Sequence, residues 1–371
     1  MARAGLSPES IGLVTATSSA GICWFLGCGG AMLSRYGAIR SLQIGMVCIA
    51  FGLAVLSQPL GLLGLLGALA IGFGGAPNTP AGSAILIRSA PAAYRTLIFS
   101  IKQAGVPLGG ALAGLAVAPL AVRHGLSATL GSIVVLLLLC CLAVQPFRRV
   151  LDGDRDSSGP GWAWVRALFQ PATMIRSIST LRAHPSLPML TAVGASFSLV
   201  QACLTAFTAT FAYTRHGLSL AEAGQVVAVM QIASMVGRVI LGWVADRTGQ
   251  ALRHLGLQAI VSAAAVCLLA TAGGEGRWAL YGCAALAGCT AIGWNGVHMA
   301  ELARVAPLHL VSSVTSASSL FGFVGSVCGP LIFAVLVSQG GGYELAFQVM
   351  AAQLACLGVV CLLAKRHPGV E

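Results

Sequence analysis

The sequence predicts an all-α membrane protein made of two pseudo-symmetric helix bundles, and three observations predict it. First, 57% of the 371 residues are hydrophobic and only 8% are charged, with a mean hydropathy of +0.88, whereas ordinary soluble domains carry about 25% charged residues. Second, the apolar residues form continuous runs that are long enough to cross a bilayer as helices. Third, loop sequences recur between the two parts of the chain. Hydrocarbon offers the backbone no hydrogen-bond partner, so a spanning segment is a helix or part of a closed barrel. Runs of about 20 residues, rather than ten-residue alternations, select helices.

Five runs come first, near 11–33, 41–58, 61–86, 97–121 and 127–146, and six follow near 188–213, 221–244, 254–272, 279–302, 312–337 and 345–364. The arrangement predicts eleven spans, five and then six. The first run continues from MARAGLSPES past residue 30 without an A-x-A cleavage site, which predicts a spanning helix with no targeting segment ahead of it. Residues 147–187 carry Arg148, Arg149, Asp152, Asp154, Arg155 and Asp156, followed by GWAWVRALF and MIRSISTLR, a stretch suited to an amphipathic helix on the membrane surface. The expected division is therefore a bundle at 1–146, a linker at 147–187 and a second bundle at 188–371. The run GAPNTPAG at 75–82 sets Pro77 and Pro80 around Asn78 and predicts a bend or break in the third run.

Loop charge orients the spans. Fifteen basic residues, from Arg35 and Arg40 to Lys365 and Arg366, fall on the side of the linker, and four (Arg3, Arg123, Arg215 and Arg277) fall on the other. Such an asymmetry places the linker and the C-terminus in the cytoplasm of a bacterial cell whose inner membrane the chain spans many times. With eleven spans the N-terminus starts outside. The net charge of +11 is spread over short loops with no basic stripe interleaved with aromatics, which argues against nucleic acid. The twelve cysteines lie within the apolar runs, without C-x-x-C pairs or nearby histidines, and read as small packing residues rather than disulfide or metal ligands. No cofactor is expected.

Three echoes relate the halves. GAMLSRYGAIR (30–40) matches GWVADRTGQALR (242–253), with Gly30/Gly242, Arg35/Arg247 and Gly37/Gly249 each 212 residues apart. RSAP at Arg88 matches RVAP at Arg304, 216 apart, and Gly105 and Gly109 match Gly325 and Gly329, 220 apart. Runs one to five thus pair with runs seven to eleven. The run at 188–213 has no partner, and its counterpart would precede residue 11. Parallel repeats of this kind mark one large class of transporters.

GWVADRTG resembles the G-x-x-x-D-R-x-G loop signature of the major facilitator superfamily, and the resemblance extends over essentially the whole chain. It implies two six-helix bundles around a central cavity that opens alternately to either side, with the first family helix missing here. It also implies a conformational latch at Gly242, Asp246, Arg247 and Gly249. Asp246 at a helix C-terminus opposes the macrodipole and needs a positive partner, such as another helix's N-terminus near the start of the run at 97–121 or an arginine. In the first half the acidic position is Ser34. QAGVPLGGALAG (103–114) resembles incompletely the glycine-proline motif of antiporters. Close helix packing explains its small residues equally well, and FGFVGSVCGP (321–330) repeats the spacing.

Two cations lie within runs, Arg238 and Lys102, and an intramembrane charge is costly enough to mark a function. Arg238 offers a planar fork to a carboxylate and Lys102 a point charge; snorkelling toward the headgroups is the competing reading. Gln103, Gln201, Gln231, Asn78, Asn295 and His298 are the further substrate-site candidates, with interhelical hydrogen bonding as their alternative role. No catalytic constellation and no G-x-x-x-x-G-K-[ST] loop is present, so the expectation is a monomeric secondary transporter, not an enzyme. Its partners are membrane lipid, a small organic anion and a coupling ion, proton or sodium. Two rivals remain: a multidrug or sugar-like exporter, and a non-transporting remnant or membrane sensor.

Overall fold

The computed structural model describes residues 8–58, 63–152, 162–272 and 276–363. It is 92% helix, with no strand among the described residues, as a chain whose backbone must bond to itself in lipid requires. The expected charges Asp154, Arg155, Asp156, Lys365 and Arg366, and Arg3 at the other end, lie outside the described residues.

Two compact units emerge, and each exchanges a segment with the other half of the sequence. The first contains residues up to Arg88, Gly110–Ala183 and Ala306–Leu320; the second contains Ser89–Gly109, His184–Val305 and the residues from Phe321 onward.

The first unit begins with α1 (Pro8–Cys28) and α2 (Gly30–Tyr36), bent 64° apart at Gly29. The expected single run at 11–33 is therefore broken where the glycines of GCGG weaken the helix. Next come α3 (Ala38–Leu56), α4 (Leu63–Gly75) and α5 (Asn78–Ser89), so the break of the third run falls on Ala76–Pro77. Then α6 (Arg95–His124) runs from the second unit into the first, followed by α7 (Leu126–Ala143) and α8 (Arg148–Leu151). Two linker helices, α9 (Ala163–Leu168) and α10 (Pro171–Ser179), pack on α1. The indole of Trp24 donates to the Leu168 carbonyl at 2.8 Å, and Tyr36 meets Trp164 edge-on. Phe25, Leu26, Met32, Leu33, Ala76, Ala81 and Leu320 form the core.

In lipid no hydrophobic force drives helices together, so close backbone approach does the holding. Gly45 faces the Gly74 carbonyl and Gly52 the Gly67 carbonyl between α3 and α4, and a Cβ at any of them would overlap backbone. Gly72 presses in the same way on Ser18 of α1. Polar glue supplements this: buried Gln43 donates to the Cys141 carbonyl at 2.9 Å and to Gln145 at 2.7 Å.

The second unit continues with α11 (Ser186–His216), α12 (Leu220–Thr248), α13 (Ala251–Thr271), α14 (Arg277–Ala287), α15 (Asn295–Val305), α16 (Val311–Leu336) and α17 (Gly342–Leu363). The expected run at 279–302 is also broken, by a π-helical turn at Gly288–Ile292. Its Thr290 carbonyl accepts from buried Gln258 at 2.8 Å, so Gln258 serves here as Gln43 does in the first unit. Phe211 and Phe333 pack edge-on against Phe347, and both meet Tyr343 at a tilt. Gly325 and Gly329 of α16 press on the Ala195 and Leu199 carbonyls of α11, whereas a Cβ at Gly105 or Gly109 would meet nothing within 4 Å. Close packing thus explains the small residues of 321–330 and not Gly105 and Gly109.

Among the described residues, six helical stretches are long and apolar enough to cross a membrane, or seven if the bent pair α1–α2 is one span.

Candidate functional site

Arg238, in the middle of α12, is only 2% exposed. Its Nη1 donates to the main-chain carbonyl of Gln103 at 2.7 Å, and its Nε is buried without a hydrogen-bond partner. No carboxylate pairs with it among the described residues. Gln103 of α6 is the hub of the group. Beyond the bond through its carbonyl, its Oε1 accepts from Lys102 Nζ at 3.2 Å, and its Nε2 donates to Asn295 Oδ1 at 3.3 Å. Four of the expected site residues, Arg238, Lys102, Gln103 and Asn295, are therefore joined in one network within the second unit.

The neighbour of Asn295 extends it. Trp294 donates its indole N–H to Gln201 at 3.0 Å, stacks on Phe197 and meets the His298 ring edge at 5.0 Å. His298 Nε2 lies 2.8 Å from the Leu190 carbonyl, which only accepts, so Nε2 carries the proton and the buried Nδ1 is left without a partner. The ring fits because residue 194 is glycine, where a Cβ would overlap it. Sequence reasoning found Gln201 and His298 but missed Trp294 and Gly194, which no motif or charge marks. Gln231 has a buried Oε1 without a partner and makes no bond to Arg238. Asn78 heads α5 in the first unit.

At the end of α12, Asp246 places Oδ1 2.9 Å from the Thr96 amide and Oδ2 2.8 Å from the Leu97 amide. These N–H groups belong to the first turn of α6, where the backbone has no acceptors of its own and the macrodipole favours an anion. Around it, Gly249 closes α12 in the left-handed region (φ 62°), the Arg247 guanidinium lies over Trp243 at 5.1 Å, and Gly242 is pressed against Ser100. Gly37, the counterpart of Gly249, also has a positive φ (83°), but with an extended ψ (175°).

In the first unit Ser34 carries no charge and bonds back to the Gly30 carbonyl. An acid nevertheless does the same work from elsewhere. Asp152, whose side chain is 1% exposed, accepts from the Ile39 and Arg40 amides at 2.8 and 3.1 Å, at the start of α3. A Cβ at Gly37 would overlap its carboxylate. Sequence reasoning left Asp152 among the linker charges.

Long apolar helices, with a buried polar network on α6, α12 and α15, are the features of a helical membrane protein that crosses the bilayer more than once. The profile of the Major Facilitator Superfamily matches residues 1–326, and the chain belongs to that superfamily. It is 26% identical over 277 residues to an MFS-type transporter of Gibberella moniliformis, covering 73% of this chain and 61% of that one. It is 30% identical over 156 residues to the probable nitrate/nitrite transporter NarK2 of Mycobacterium tuberculosis, covering 41% of this chain and 39% of that one. The chain thus spans less than two thirds of the length of either relative. Among solved structures, the fucose:proton symporter FucP of E. coli superposes with a TM-score of 0.75 at 14% identity, over 96% of this chain and 91% of that one, and shows the same fold.

Proposed function

We propose that this transporter carries a small organic anion across a bacterial inner membrane by alternating access, with Arg238 as the principal ligand. The observation that carries the reading is an arginine only 2% exposed whose guanidinium has a neutral carbonyl as its one bonded partner and whose Nε has none. A buried charge without a counter-charge is costly, and a substrate carboxylate removes that cost. Lys102 adds a second positive charge beside Gln103, and Asn295, Gln201 and His298 supply hydrogen bonds to orient the substrate. The local likeness to a protein named as a nitrate/nitrite transporter agrees with anion chemistry. Asp246 acts as the latch, bonding to α6 in one state and releasing it in the other. Exchange, or a proton or sodium gradient, provides the drive, and the unit of function is the monomer.

The test is uptake of labelled mono- and dicarboxylates by reconstituted vesicles. Losing one partner of a buried charged hydrogen bond costs about 2–5 kcal/mol. Arg238→Ala should therefore reduce transport at least about tenfold. Arg238→Lys keeps the charge without the fork and should fall between. Normal transport by Arg238→Ala, or a rate indifferent to substrate charge, would return the chain to the sugar-like or multidrug reading.

A further inference from the structure

Arg238 is bonded to a main-chain carbonyl inside a helix, where carbonyls are ordinarily occupied: the C=O of residue i accepts from the N–H of residue i+4. For Gln103 that residue is Pro107, which has no N–H. α6 continues through Pro107 as one helix, so the Gln103 carbonyl stays within the helix without the i+4 donor that an α-helix supplies. The Arg238 guanidinium takes the vacated place at 2.7 Å.

We infer that Pro107 is a positioning residue for the anion site: by vacating the Gln103 carbonyl it provides a neutral tether that orients Arg238 without cancelling its charge. The inference rests on the reading of Arg238 as the anion ligand. The choice of tether follows from the chemistry. A carboxylate in this place would hold the guanidinium but neutralise it, leaving little attraction for a substrate. A water would leave the charge intact but hold it loosely. A carbonyl deprived of its own donor is fixed in space by the helix and accepts one arm of the fork, so the other nitrogens remain to meet an anion. The same carbonyl belongs to the residue whose side chain bonds Lys102 and Asn295, so a shift in the backbone here moves the whole network.

The experiment measures binding to the purified full chain by ligand-induced thermal stabilisation, with nitrate, benzoate and succinate as probes. Pro107→Ala restores the N–H that claims the Gln103 carbonyl, and it should raise the dissociation constant of the bound probe at least tenfold. Placing the α-hydroxy analogue of alanine at position 107 removes the ring but puts an ester oxygen where the N–H would be; affinity should stay within twofold of the parent. In an Arg238→Lys background, Pro107→Ala should change affinity less than twofold, because the group it positions is gone. Where the alanine variant does not assemble, Pro107→Gly restores the N–H while allowing the bend and repeats the comparison. If Arg238→Ala binds as the parent does, or none of the three probes stabilises the parent, the anion reading fails and this inference with it. If Arg238→Ala loses binding but Pro107→Ala does not, the role of Pro107 alone is overturned. The same holds if the ester variant is as weak as Pro107→Ala, or if Pro107→Ala has an equal effect in both backgrounds.

Discussion

Asp246 and Asp152 solve one electrostatic problem twice. Each sets both carboxylate oxygens on two successive amides at the start of a helix to which it does not belong. An asparagine keeps one acceptor and turns an NH2 group toward the other amide, at a cost of about 1–3 kcal/mol where the site is buried. Asp152→Asn should therefore lower the apparent melting temperature of the purified protein; an unchanged value would show that the contact contributes nothing to stability. Asp246→Asn should lose transport while expression and membrane insertion persist, and normal uptake would remove its role as latch. Asp246 was legible in the sequence because it stands in a recurring loop at a helix end. Asp152 was not, because it lies among six charges that read as part of a linker while its partner amide on Ile39 is 113 residues away. Main-chain partners leave no mark in residue type, which is also why Gln103 stood out for its side chain and not for its carbonyl.

Elements in this protein are held by what their glycines lack. A Cβ on Gly325 would overlap the Ala195 carbonyl, and one on Gly105 would meet nothing within 4 Å, although the two occupy equivalent places in the repeat. Overpacking a close contact costs about 1–3 kcal/mol, and a change in open space typically stays within about 0.5 kcal/mol. Gly325→Leu should accordingly lower the melting temperature in detergent clearly more than Gly105→Leu, as read by fluorescence size-exclusion after heating; equal shifts would refute the packing argument. Helix breaks divided in the same way between the visible and the hidden. Pro77 and Pro80 announced the gap between α4 and α5. The π-helical turn at Gly288–Ile292 had no such punctuation, because it depends on Gln258 bonding the Thr290 carbonyl and on Gly288 pressing against the Met230 backbone, and both contacts come from other helices.

For the whole molecule, the membrane class and the repeat were legible from hydropathy and loop spacing, since lipid constrains length and charge so strongly. The exchange of Ser89–Gly109 and Ala306–Leu320 between the units was not, because tertiary grouping leaves no trace in local periodicity. Orientation is the expectation that belongs to this scale. With Arg247 and Arg253 on the cytoplasmic side, Ser219→Cys should react with a membrane-impermeant maleimide in intact cells, and Gln250→Cys only after lysis, each against the parent's own cysteines as background. The reverse pattern would invert the topology.

Translation runs in one direction, and the exchanged segments do not. Ser89–Gly109 leaves the ribosome well before the rest of its unit, and at 5–20 residues per second the amides of Thr96 and Leu97 wait on the order of ten seconds before Asp246 exists to receive them. The first unit waits longer still, for Ala306–Leu320. When synthesis reaches the linker the first unit still lacks Ala306–Leu320, and of the second only Ser89–Gly109 has been made, so the closing pieces arrive late. A chaperone or insertase that shields half-made helix surfaces would matter more here than for a chain whose units are contiguous.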